Sequence, residues 1–449
     1  MSILVLGAAG YIGSHVVHYL ISQGESVVAY DNFSAGYGDS LTSLDVILVT
    51  GDIRDTELLE STIQKHHVVS IIHFAAHIEV GESVQDPIKY YDNNVSGSLS
   101  VMRAMKNTDC KHVVFSSTAA IFGNPSVVPI PDDAPTTPIN PYGHSKLMVE
   151  ELLKSISGIH DMTYVALRYF NASGAHPSAS IGESHRPETH LIPIVLQVAL
   201  GQRPHIKMFG SDYNTRDGTC VRDYIHVLDL ASAHYKALLY LREGNVSNCF
   251  NLGSGIGYSV KEVIETARKV TGHEIPCIEA PRRPGDPDTL IADSKRAETI
   301  LSWKREHSEL EEIISTAWMW HKQHPNGFKT SLFLVIELPS SSSLKIKNLV
   351  SGIESQASVH QCKLYHSDLP SDHGIHQQVA AGDKKEPVIT EVLDHFDSPE
   401  GPMCSVVWFG GDITAVRLQK DPTAVATSSI KNTEPDMAFK KNNNNPCID

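Results

Sequence analysis

Cysteine is scarce in this sequence, and the few cysteines stand far apart. Seven occur among 449 residues, and none belongs to a Cys-x-x-Cys pair. An odd number of scattered cysteines without such a pair speaks against a disulfide framework and against a thiolate zinc centre. An odd number of scattered thiols is typical of a reducing compartment, and we therefore expect a cytoplasmic protein.

Long apolar runs and an excess of basic residues are also missing. No stretch approaches the ~18 apolar residues that a transmembrane helix needs, and the first apolar run, Ser2–Leu6, is too short for a signal peptide. The formal net charge is −15, from 37 lysines and arginines against 52 acidic residues. A surface of that sign disfavours nucleic acids and anionic lipids, so the sequence predicts neither a nucleic-acid nor a membrane partner.

The first half of the sequence alternates short apolar runs with segments of helical length. Near-continuous apolar strands that alternate with helices indicate a parallel sheet covered on both faces. We therefore predict an α/β fold built on a Rossmann-type, doubly wound parallel sheet. The predicted strands are Ile3–Leu6, Ser26–Tyr30, Val46–Val49, Ser70–Phe74 and His112–Ser117, and the predicted helices include Ile12–Gln23, Glu57–Lys65 and Pro87–Lys106.

Three regions are expected along the chain. Residues 1–170 form the sheet domain, to which later segments return, and residues 171–328, with prolines and glycines spaced through them, form a smaller mixed α/β lobe for substrate. His321 to Gly327 ends a helix with cationic residues, then proline and glycine. Residues 331–449 form an extension of unassigned structure, partly disordered at its end. Its strand-like pieces are Leu332–Leu338, Pro387–Leu393 and Cys404–Phe409.

A glycine-rich turn joins the first predicted strand to the first helix. It reads Gly7-Ala8-Ala9-Gly10-Tyr11-Ile12-Gly13, and its missing Cβ atoms let a pyrophosphate reach the helix N-terminus. Asp31 closes the second strand, where a carboxylate accepts hydrogen bonds from an adenosine ribose. Residues 31–36 contain no arginine or lysine for a 2′-phosphate, so NAD is favoured over NADP as the cofactor of residues 1–170. Taken alone, Asp31 is equally well explained as a turn-forming aspartate.

Further cofactor contacts are expected where the third and fourth predicted strands end. An adenine and a ribose lie at these carboxyl ends in folds of this type. Without the glycine loop, simple strand-end turns explain the same residues at least as well. The residues concerned are Asp52, Ile53, Phe74, Ala75 and Ala76.

A tyrosine and a lysine lie one helical turn apart, at Tyr142 and Lys146. Residues i and i+4 share a helix face, so the ammonium reaches toward the phenol. That ammonium and a cationic nicotinamide favour the phenolate, and we expect them to lower the tyrosine pKa from its usual value near ~10. Thr118 ends the fifth strand and is expected to hydrogen-bond the substrate oxygen, a role that Ser116 or Ser117 also fits. The structural alternatives are an exposed Tyr/Lys pair and a hydroxyl bound to local backbone.

Taken together, these motifs resemble those of the UDP-glucose 4-epimerases, a family of the extended short-chain dehydrogenase/reductases. The resemblance covers about residues 1–328. It implies that Thr118, Tyr142 and Lys146 form the catalytic triad, that Asn32, Asn93 and Tyr169 join the NAD site, and that the protein is a homodimer. The motifs are Gly7-x-x-Gly-Tyr-Ile-Gly13, Asp31-Asn32, Gly81-Glu82-Ser83, Tyr90-Tyr-Asp-Asn-Asn94, Ser-Ser-Thr118-Ala-Ala, Tyr142-x-x-x-Lys146 and Tyr169-Phe-Asn171.

Two arginines, Arg222 and Arg283, match positions that hold the UDP diphosphate in that family, and forked guanidinium donors suit a diphosphate. Pairing of Arg222 with Asp217 or Asp223 at the surface is the alternative. The resemblance assigns the other substrate contacts to Asp286 at the ribose, Asn171 and Leu191 near the phosphates, and Phe209 beside the uracil. The family often carries a tyrosine where this sequence has Phe122. At the position of Leu290, a tyrosine excludes N-acetylated sugars in the family and smaller residues admit them, so leucine, which is intermediate in size, does not exclude such substrates.

Ala119 and Ala120 follow Thr118, where related dehydratases and decarboxylases carry an acidic residue. Elimination chemistry is therefore disfavoured. The expected function is reversible 4-epimerisation of UDP-galactose and UDP-glucose through a transient 4-keto intermediate on tightly bound NAD, in galactose metabolism. Two alternatives remain: a 4-epimerase of UDP-xylose or UDP-N-acetylglucosamine, and a non-catalytic NAD-sensing scaffold.

No metal site is expected from the 24 histidines. Metal binding needs a third converging ligand and groups that orient the ligands, and the sequence indicates neither beside the histidine clusters. These clusters are His66, His67, His73 and His77 in the first, and His321 and His324 in the second.

Overall fold

The computed structural model describes residues 2–158, 160–185, 187–283 and 286–328, together with the backbone of six strands between residues 333 and 417. Contacts between residues divide the chain into two units, residues 1–330 and residues 331–449. The strands described in the first unit are β1 (Ser2–Leu6), β2 (Val27–Asp31), β3 (Ile47–Thr50), β4 (Val68–His73), β5 (His112–Ser116), β6 (Thr163–Tyr169), β7 (Asn171–Ser173), β8 (Ile206–Phe209), β9 (Val221–Arg222), β10 (Tyr224–His226), β11 (Asn248–Leu252), β12 (Tyr258–Ser259), β13 (Cys277–Ala280) and β14 (Thr289–Leu290).

The α-helices of the first unit cover both faces of its main sheet and build the smaller lobe. Short 3₁₀ turns occur at Gly38–Ser40 and Ala119–Phe122. The helices are α1 (Tyr11–Ser22), α2 (Thr56–Lys65), α3 (Val80–Gln85), α4 (Pro87–Tyr90), α5 (Gly97–Lys106), α6 (Pro141–Ser157), α7 (Leu191–Ala199), α8 (Val227–Arg242), α9 (Val260–Thr271), α10 (Lys295–Ile300) and α11 (Leu310–Gln323).

Seven strands form the main sheet in the order β3-β2-β1-β4-β5-β6-β11, and each neighbouring pair is parallel. The predicted Rossmann-type fold is confirmed, and the five predicted strands lie within two residues of the observed bounds. Because β1 has β2 on one side and β4 on the other, the chain order reverses at β1. Folds of this type bind ligands beyond the carboxyl ends of the strands at such a point.

The core lies on both faces of the sheet because the central strands are buried at nearly every position and carry apolar side chains on both faces. Val5 packs with Leu20 of α1 and Leu238 of α8 on one face. Leu4, the preceding residue of β1, packs on the opposite face in a cluster that includes residues of α2, α5 and α6. Each fully buried aliphatic side chain stabilises the fold by about 1.5–3 kcal/mol, so the sheet is a rigid support for the loops at its carboxyl edge.

The predicted helix over residues 87–106 is interrupted in the structure. α4 ends at Tyr90, a wider π-helical turn spans Tyr91–Ser96, and α5 then continues to Lys106. Such turns absorb an extra residue and often occur at functional sites. Periodicity in the sequence predicted the helix but not this turn.

The smaller lobe consists of short strand pairs and three packed helices. β8 pairs with β13, β9 lies between β12 and β14, and β7 pairs with β10. α7, α9 and α11 share one apolar core, to which Val195, Val263 and Ile313 contribute. A capping box at Ser259 begins α9, and Gly272, with φ of 72°, ends it.

The second unit contains two antiparallel, three-stranded sheets. The first joins β15 (Phe333–Ser340), β16 (Ser343–Asn348) and β17 (Glu354–Ser358), and the second joins β18 (Ile389–Ser398), β19 (Gly401–Trp408) and β20 (Ile413–Arg417). The three strand-like pieces noted in the sequence overlap β15, β18 and β19, and the expected disorder near residue 449 lies outside the described residues. Among the described helices, none combines the length and apolar character needed to cross a membrane.

Candidate active site

The glycine loop closes tightly between β1 and α1. Gly7 has a φ of 78°, and a Cβ atom there would lie 2.7 Å from the backbone nitrogen of Ala75. A Cβ atom on Gly13 would clash with the carbonyl oxygen of Gly7. Gly10 precedes α1 and provides no side chain to cap its N-terminus, so the first amides of the helix face outward for an anion.

Carboxylates at the ends of β2 and β3 surround the position expected for the adenosine. Asp31 accepts hydrogen bonds from the amides of Ala9 at 2.8 Å and Phe33 at 2.7 Å. Burial raises the Asp31 pKa, and these amides oppose that effect. Asn32 donates to Asp52 at 3.0 Å. Asp31 therefore fixes the glycine loop, a role that the sequence did not predict, and turn formation at Phe33 accounts for its second oxygen.

The other residues expected at the cofactor site lie nearby at the sheet's carboxyl edge. Ile53 is buried, and Phe74, Ala75 and Ala76, which are half-buried, follow β4 directly. The ring centroid of Phe74 lies 4.7 Å from that of His234 in α8. Arg54 lowers the pKa of Asp52 to about 2, so this carboxylate is charged at neutral pH. Tyr11 donates its hydroxyl to the carbonyl of Gly174 at 2.6 Å, which ties the glycine loop to the segment after β7.

The structure brings Thr118, Tyr142 and Lys146 together above the end of β5. The side chain of Thr118 lies close enough to the phenol of Tyr142 to lower its pKa. Thr118 also accepts a hydrogen bond from the amide of Ala120 at 3.1 Å, so it has the local backbone contact of the alternative interpretation as well. Asn140 caps α6 and Pro141 begins it, which places Tyr142 in the first helical turn. Lys146 is buried one turn later.

Burial dominates the pKa values of this pair. It raises the pKa of Tyr142 to about 12, the side chain of Thr118 lowers it, and the charge of Glu79 raises it. Burial lowers the pKa of Lys146 to about 7, against the opposing effect of Glu150. The protein's own groups therefore do not give the lowered tyrosine pKa that the sequence led us to expect. Burial of the phenol is the largest cause. The ammonium of Lys146 itself donates to the Ser116 carbonyl at 2.8 Å.

The three consecutive hydroxyls at the end of β5 have different partners. Ser116 is 2.5 Å from the hydroxyl of Tyr169, and Ser117 donates to Glu150 at 2.5 Å. Of the three, Thr118 is the one that acts on the pKa of Tyr142 among the described contacts. Ser116 and Ser117 have Tyr169 and Glu150 as their partners.

Asn94, rather than its neighbour Asn93, connects the elements around this site. Its side chain accepts from the amide of His77 at 2.8 Å and donates to the carbonyl of His77 and to Ser145, both at 3.0 Å. Asn93 donates to Asn94 at 3.0 Å and so is connected to this network through Asn94. Because Ser145 stands between Tyr142 and Lys146, Asn94 fixes α6 against the loop after β4. The sequence signal was its place in the Tyr90–Asn94 motif.

The residues expected at the substrate lie along β8, β9 and β14. Arg222 pairs with Asp286, and the guanidinium of Arg283 lies 4.2 Å from the ring centroid of Phe209. The alternative partners of Arg222 are occupied elsewhere. Asp217 accepts from Thr219 and Ser259, and Asp223 accepts from Ser254 and Ala292.

Asn171, Leu191 and Leu290 complete the substrate side. Asn171 donates to the carbonyl of Asp223 at 2.8 Å, and Leu191 is the first residue of α7. Leu290 is the register partner of Arg222 and packs against the cluster that contains Ala119 and Phe122. The expected uridine contacts and the wall beside Thr118 are therefore neighbours.

Two features of the site were not found by sequence reasoning. Glu79 accepts a hydrogen bond from Thr189 at 2.9 Å and acts electrostatically on Tyr142. A buried pair of Arg168 and Glu150, with 2.6 Å between nitrogen and oxygen, lies beneath the end of β5. Neither feature has a local spacing signal, because the partners are far apart in the sequence.

Comparisons with known proteins give one family and a consistent set of relatives. The model of the GDP-mannose 4,6 dehydratase family matches residues 4–317. The UDP-glucose 4-epimerase of Halalkalibacterium halodurans is 53% identical over 330 residues, which are 74% of this chain and 98% of that protein. A crystal structure of a UDP-glucose 4-epimerase is 47% identical with a TM-score of 0.72, and the match covers 74% of this chain and 100% of that chain.

A third comparison is with a ligand complex. The UDP-glucose 4-epimerase of Bifidobacterium longum, crystallised in complex with NAD⁺ and UDP, is 39% identical with a TM-score of 0.69. The match covers 73% of this chain and 100% of that chain. The family model is thus named for one reaction of nucleotide sugars and the relatives for another.

Proposed function

This chain belongs to the UDP-glucose 4-epimerases, a family of the extended short-chain dehydrogenase/reductases, and we propose that it interconverts UDP-galactose and UDP-glucose by inverting C4 of the hexose. The observation that carries the proposal is the placement of the buried phenol of Tyr142 next to Thr118 at the carboxyl edge of the sheet, where the Thr118 side chain lowers the pKa of the phenol. A hydroxyl and a phenol in this arrangement suit the transfer of one proton to and from a sugar hydroxyl.

The residues at the reversal point of the sheet fit NAD. The close approach around Gly7 and Gly13, the uncapped N-terminus of α1 and the carboxylate of Asp31 suit a pyrophosphate and a ribose. When bound, NAD supplies a reversible two-electron oxidant for C4 of the sugar, and the complete reaction leaves it unchanged.

Tyr142 holds the proton that moves. Its phenolate accepts the proton of the sugar 4-hydroxyl, and its phenol returns a proton to the oxygen of the 4-keto sugar. Thr118 fixes the phenol and the sugar oxygen by hydrogen bonds. Because burial raises the pKa of Tyr142 to about 12, the phenolate needs positive charge, which Lys146 and the cationic nicotinamide supply.

The substrate lobe holds the part of the substrate that does not react. Arg222 and Arg283 bind the diphosphate, Asp286 the ribose, and Phe209 stacks beside the uracil. Asn171 and Leu191 lie next to the phosphates in this proposal. Binding energy placed on the UDP portion leaves the hexose free to turn between the two halves of the reaction.

Dehydration, the reaction after which the matched family model is named, lacks an acid where it is needed. Ala119 is buried, Ala120 is half-buried, and both follow Thr118 without a carboxylate. Removal of water from the sugar requires an additional acid/base group, whereas inversion at C4 requires none beyond Tyr142. This difference supports epimerisation.

A second candidate function is 4-epimerisation of UDP-N-acetylhexosamines. It is favoured by Leu290, which packs beside Ala119 and Phe122 and offers more room than a tyrosine. The two functions share the same chemistry and differ only in the space around C2 of the sugar.

The cellular setting is also part of the proposal. A role in galactose metabolism follows from the proposed substrates, and a reducing cytoplasm suits Cys110, Cys220, Cys249 and Cys277, which are free thiols. A homodimer is supported by exposed apolar side chains on α3, α4 and α6, since contiguous patches of this kind mark interfaces. These side chains are Val80, Val84, Ile88 and Met148.

Replacing Tyr142 with phenylalanine tests the function. Tyr142→Phe keeps the ring and removes the proton carrier, so kcat for UDP-galactose should fall by about 10²–10⁴-fold in a coupled assay of UDP-glucose formation. Tyr240→Phe in α8 is the matched control and should retain full activity. Unchanged turnover in Tyr142→Phe would contradict the role of Tyr142. No fluorescence of bound NADH when the wild type is mixed with UDP-sugar would contradict hydride transfer and favour a non-catalytic NAD-sensing scaffold.

A further inference from the structure

Four side chains with metal-binding atoms converge on the segment that leads into α7. They are Glu183, His185, Glu188 and His190, called here the Glu183–His190 cluster. One ligand atom from each lies within 4.8 Å of all the others. The two carboxylates are buried and the two imidazoles half-buried, so the ligand atoms point inward rather than into solvent.

The distances in this cluster match those around a four-coordinate metal ion. Nδ1 of His190 lies 2.8 Å from Glu183 and 3.1 Å from Glu188. Nδ1 of His185 lies 3.1 Å from Glu183 and 3.8 Å from Glu188. Zinc bound to nitrogen and oxygen at about 2.0–2.1 Å in a tetrahedron separates its ligand atoms by about 3.3 Å. Only small side-chain adjustments would therefore be needed to admit the ion.

The charges also point to a divalent cation. Glu183 and Glu188 are charged groups with only 4% and 9% of their surface exposed, and burying such groups is costly without compensation. Within the described residues, no lysine or arginine lies within 4 Å of either carboxylate, and the imidazoles are their ion-pair partners. One divalent ion with two neutral imidazoles balances the two carboxylates completely.

Contacts outside the cluster hold its ligands in position. The indole of Trp320 donates to the carbonyl of Glu183 at 2.9 Å. The amides of Thr189 and His190 donate to Oε1 of Glu188, each at 2.9 Å, and so fix the orientation of this carboxylate. Orienting contacts of this kind are typical of metal sites, because they fix the direction of each ligand before the ion binds.

We propose that Glu183, His185, Glu188 and His190 bind a divalent transition-metal ion of the zinc class, as a structural site of the substrate lobe. Two imidazole and two carboxylate ligands suit zinc, whereas magnesium and calcium favour oxygen-only sites with more ligands. The ion fixes the residues before Leu191 and orders the start of α7. It also lies next to the ring of Tyr11, whose centroid is 6.3 Å from that of His185, so it connects the lobe with the glycine loop. The sequence led us to expect no metal, and this proposal revises that expectation.

Metal content tests the site directly. The full chain, prepared without a histidine tag, is treated with chelator, incubated with Zn²⁺ and passed through a desalting column before elemental analysis. About one zinc per chain should remain in the wild type and only background in His185→Ala/His190→Ala. His66→Ala/His67→Ala is the matched control, since it removes two adjacent histidines elsewhere and should keep its zinc. Equal zinc in the wild type and in His185→Ala/His190→Ala would overturn the proposal.

A spectroscopic measurement on the wild type decides the question if the double variant does not fold. Co²⁺ in a four-coordinate nitrogen and oxygen site gives strong visible absorption, which the hydrated ion lacks. The expected result is such a spectrum in the Co²⁺-loaded wild type, its loss on adding Zn²⁺, and its persistence with excess Mg²⁺. A spectrum like that of hydrated Co²⁺, or displacement by Mg²⁺ as readily as by Zn²⁺, would reject a site of the zinc class. Neither measurement depends on epimerase activity.

Discussion

Two successive turns of α6 each bury a charged residue, Lys146 and Glu150. Among the described contacts, only Glu150 is paired with an opposite charge. Glu150 accepts hydrogen bonds from Ser117 at 2.5 Å and from Arg168 at 3.0 and 2.6 Å. Lys146, one turn earlier, donates to the Ser116 carbonyl at 2.8 Å and lies 4.9 Å from the ring centroid of Phe115. The charge that supports the fold is thus neutralised, whereas the described residues place no carboxylate in contact with the charge beside Tyr142. Groups with shifted pKa values of this second kind are typical of reaction centres.

The largest expected effect comes from replacing Lys146, whose ammonium contacts no carboxylate among the described residues. Lys146→Met should lower kcat by about 10³-fold, because the phenolate of Tyr142 loses a stabilising cation. The same change should stabilise the cofactor-free protein at pH 7 by about 1–3 kcal/mol, since it removes a poorly compensated buried ammonium. Steady-state kinetics and denaturant unfolding measure the two effects on one preparation.

The pH dependence of this stability difference has a definite sign. The pKa of Lys146 falls from 10.5 to about 7 on folding. Between these values the unfolded chain keeps a proton that the folded chain has released, so wild-type stability rises with pH. The advantage of Lys146→Met should therefore be full below about pH 7 and shrink towards pH 10.5. An advantage that grows with pH would show that the ammonium is better compensated than we infer.

Removing one partner of the neutralised pair, Arg168 and Glu150, should destabilise the protein, in contrast to Lys146→Met. Glu150→Gln leaves the buried guanidinium of Arg168 without its counter-ion, and we expect a loss of about 3–5 kcal/mol in the free energy of unfolding. Turnover per folded molecule should fall less than in Lys146→Met, because Glu150→Gln keeps the lysine and removes only the carboxylate that raises its pKa. Glu151→Gln, at the next and exposed position of α6, is the control and should alter stability by less than about 0.5 kcal/mol. Equal losses in the free energy of unfolding of Glu150→Gln and Glu151→Gln would show that the buried pair stabilises the fold no more than an exposed glutamate does.

A pair of adjacent hydroxyls sharpens the same distinction. Thr118→Val removes the hydroxyl next to Tyr142 and should lower kcat by about 10–100-fold, the equivalent of about 1.5–3 kcal/mol. Ser117→Ala removes the hydrogen bond to Glu150 and should lower stability with little effect on turnover. Kinetics and thermal unfolding of both variants provide the comparison. A lower kcat in Ser117→Ala but not in Thr118→Val would contradict this assignment and indicate that Ser117, not Thr118, acts in the reaction.

The smallest expected effect concerns the apolar wall of the site. Leu290→Tyr leaves both charged turns intact, so stability and the turnover of UDP-galactose should be nearly unchanged. The ratio of kcat/KM for UDP-N-acetylglucosamine over UDP-glucose should fall by about tenfold, because the larger ring takes the space beside C2. An unchanged ratio would mean that Leu290 does not limit the sugar.

The parts of the structure that the sequence predicted have local signals. The strands of the Rossmann-type sheet follow from apolar runs, and the glycine loop from the glycines at positions 7, 10 and 13. The pairing of Arg168 with Glu150, the network of Asn94 and the effect of Glu79 join residues far apart in the chain, and no periodicity encodes such contacts. Helical spacing says which face of α6 Lys146 occupies, but not that its ammonium reaches the Ser116 carbonyl. The lowered pKa of Tyr142 beside a bound nicotinamide stays a prediction.

The Glu183–His190 cluster shows a different limit of prediction from the sequence. Its four residues lie within eight positions of the sequence and were open to inspection. No run of histidines marks them, because glutamates and histidines alternate in this segment. In the second unit, the three strand-like pieces found in the sequence overlap observed strands. β16, β17 and β20 were missed, because short strands without sustained alternation resemble loops.

The side chain of Asn94 has a consequence for hydrogen exchange. The amide of His77 belongs to a loop, and loop amides usually exchange with solvent quickly. This one donates to a buried side-chain oxygen of Asn94, and that same side chain donates to Ser145 within α6. Deuterium uptake at His77 should therefore be as slow as in a central strand, and it would report how often the helix carrying Tyr142 separates from the sheet.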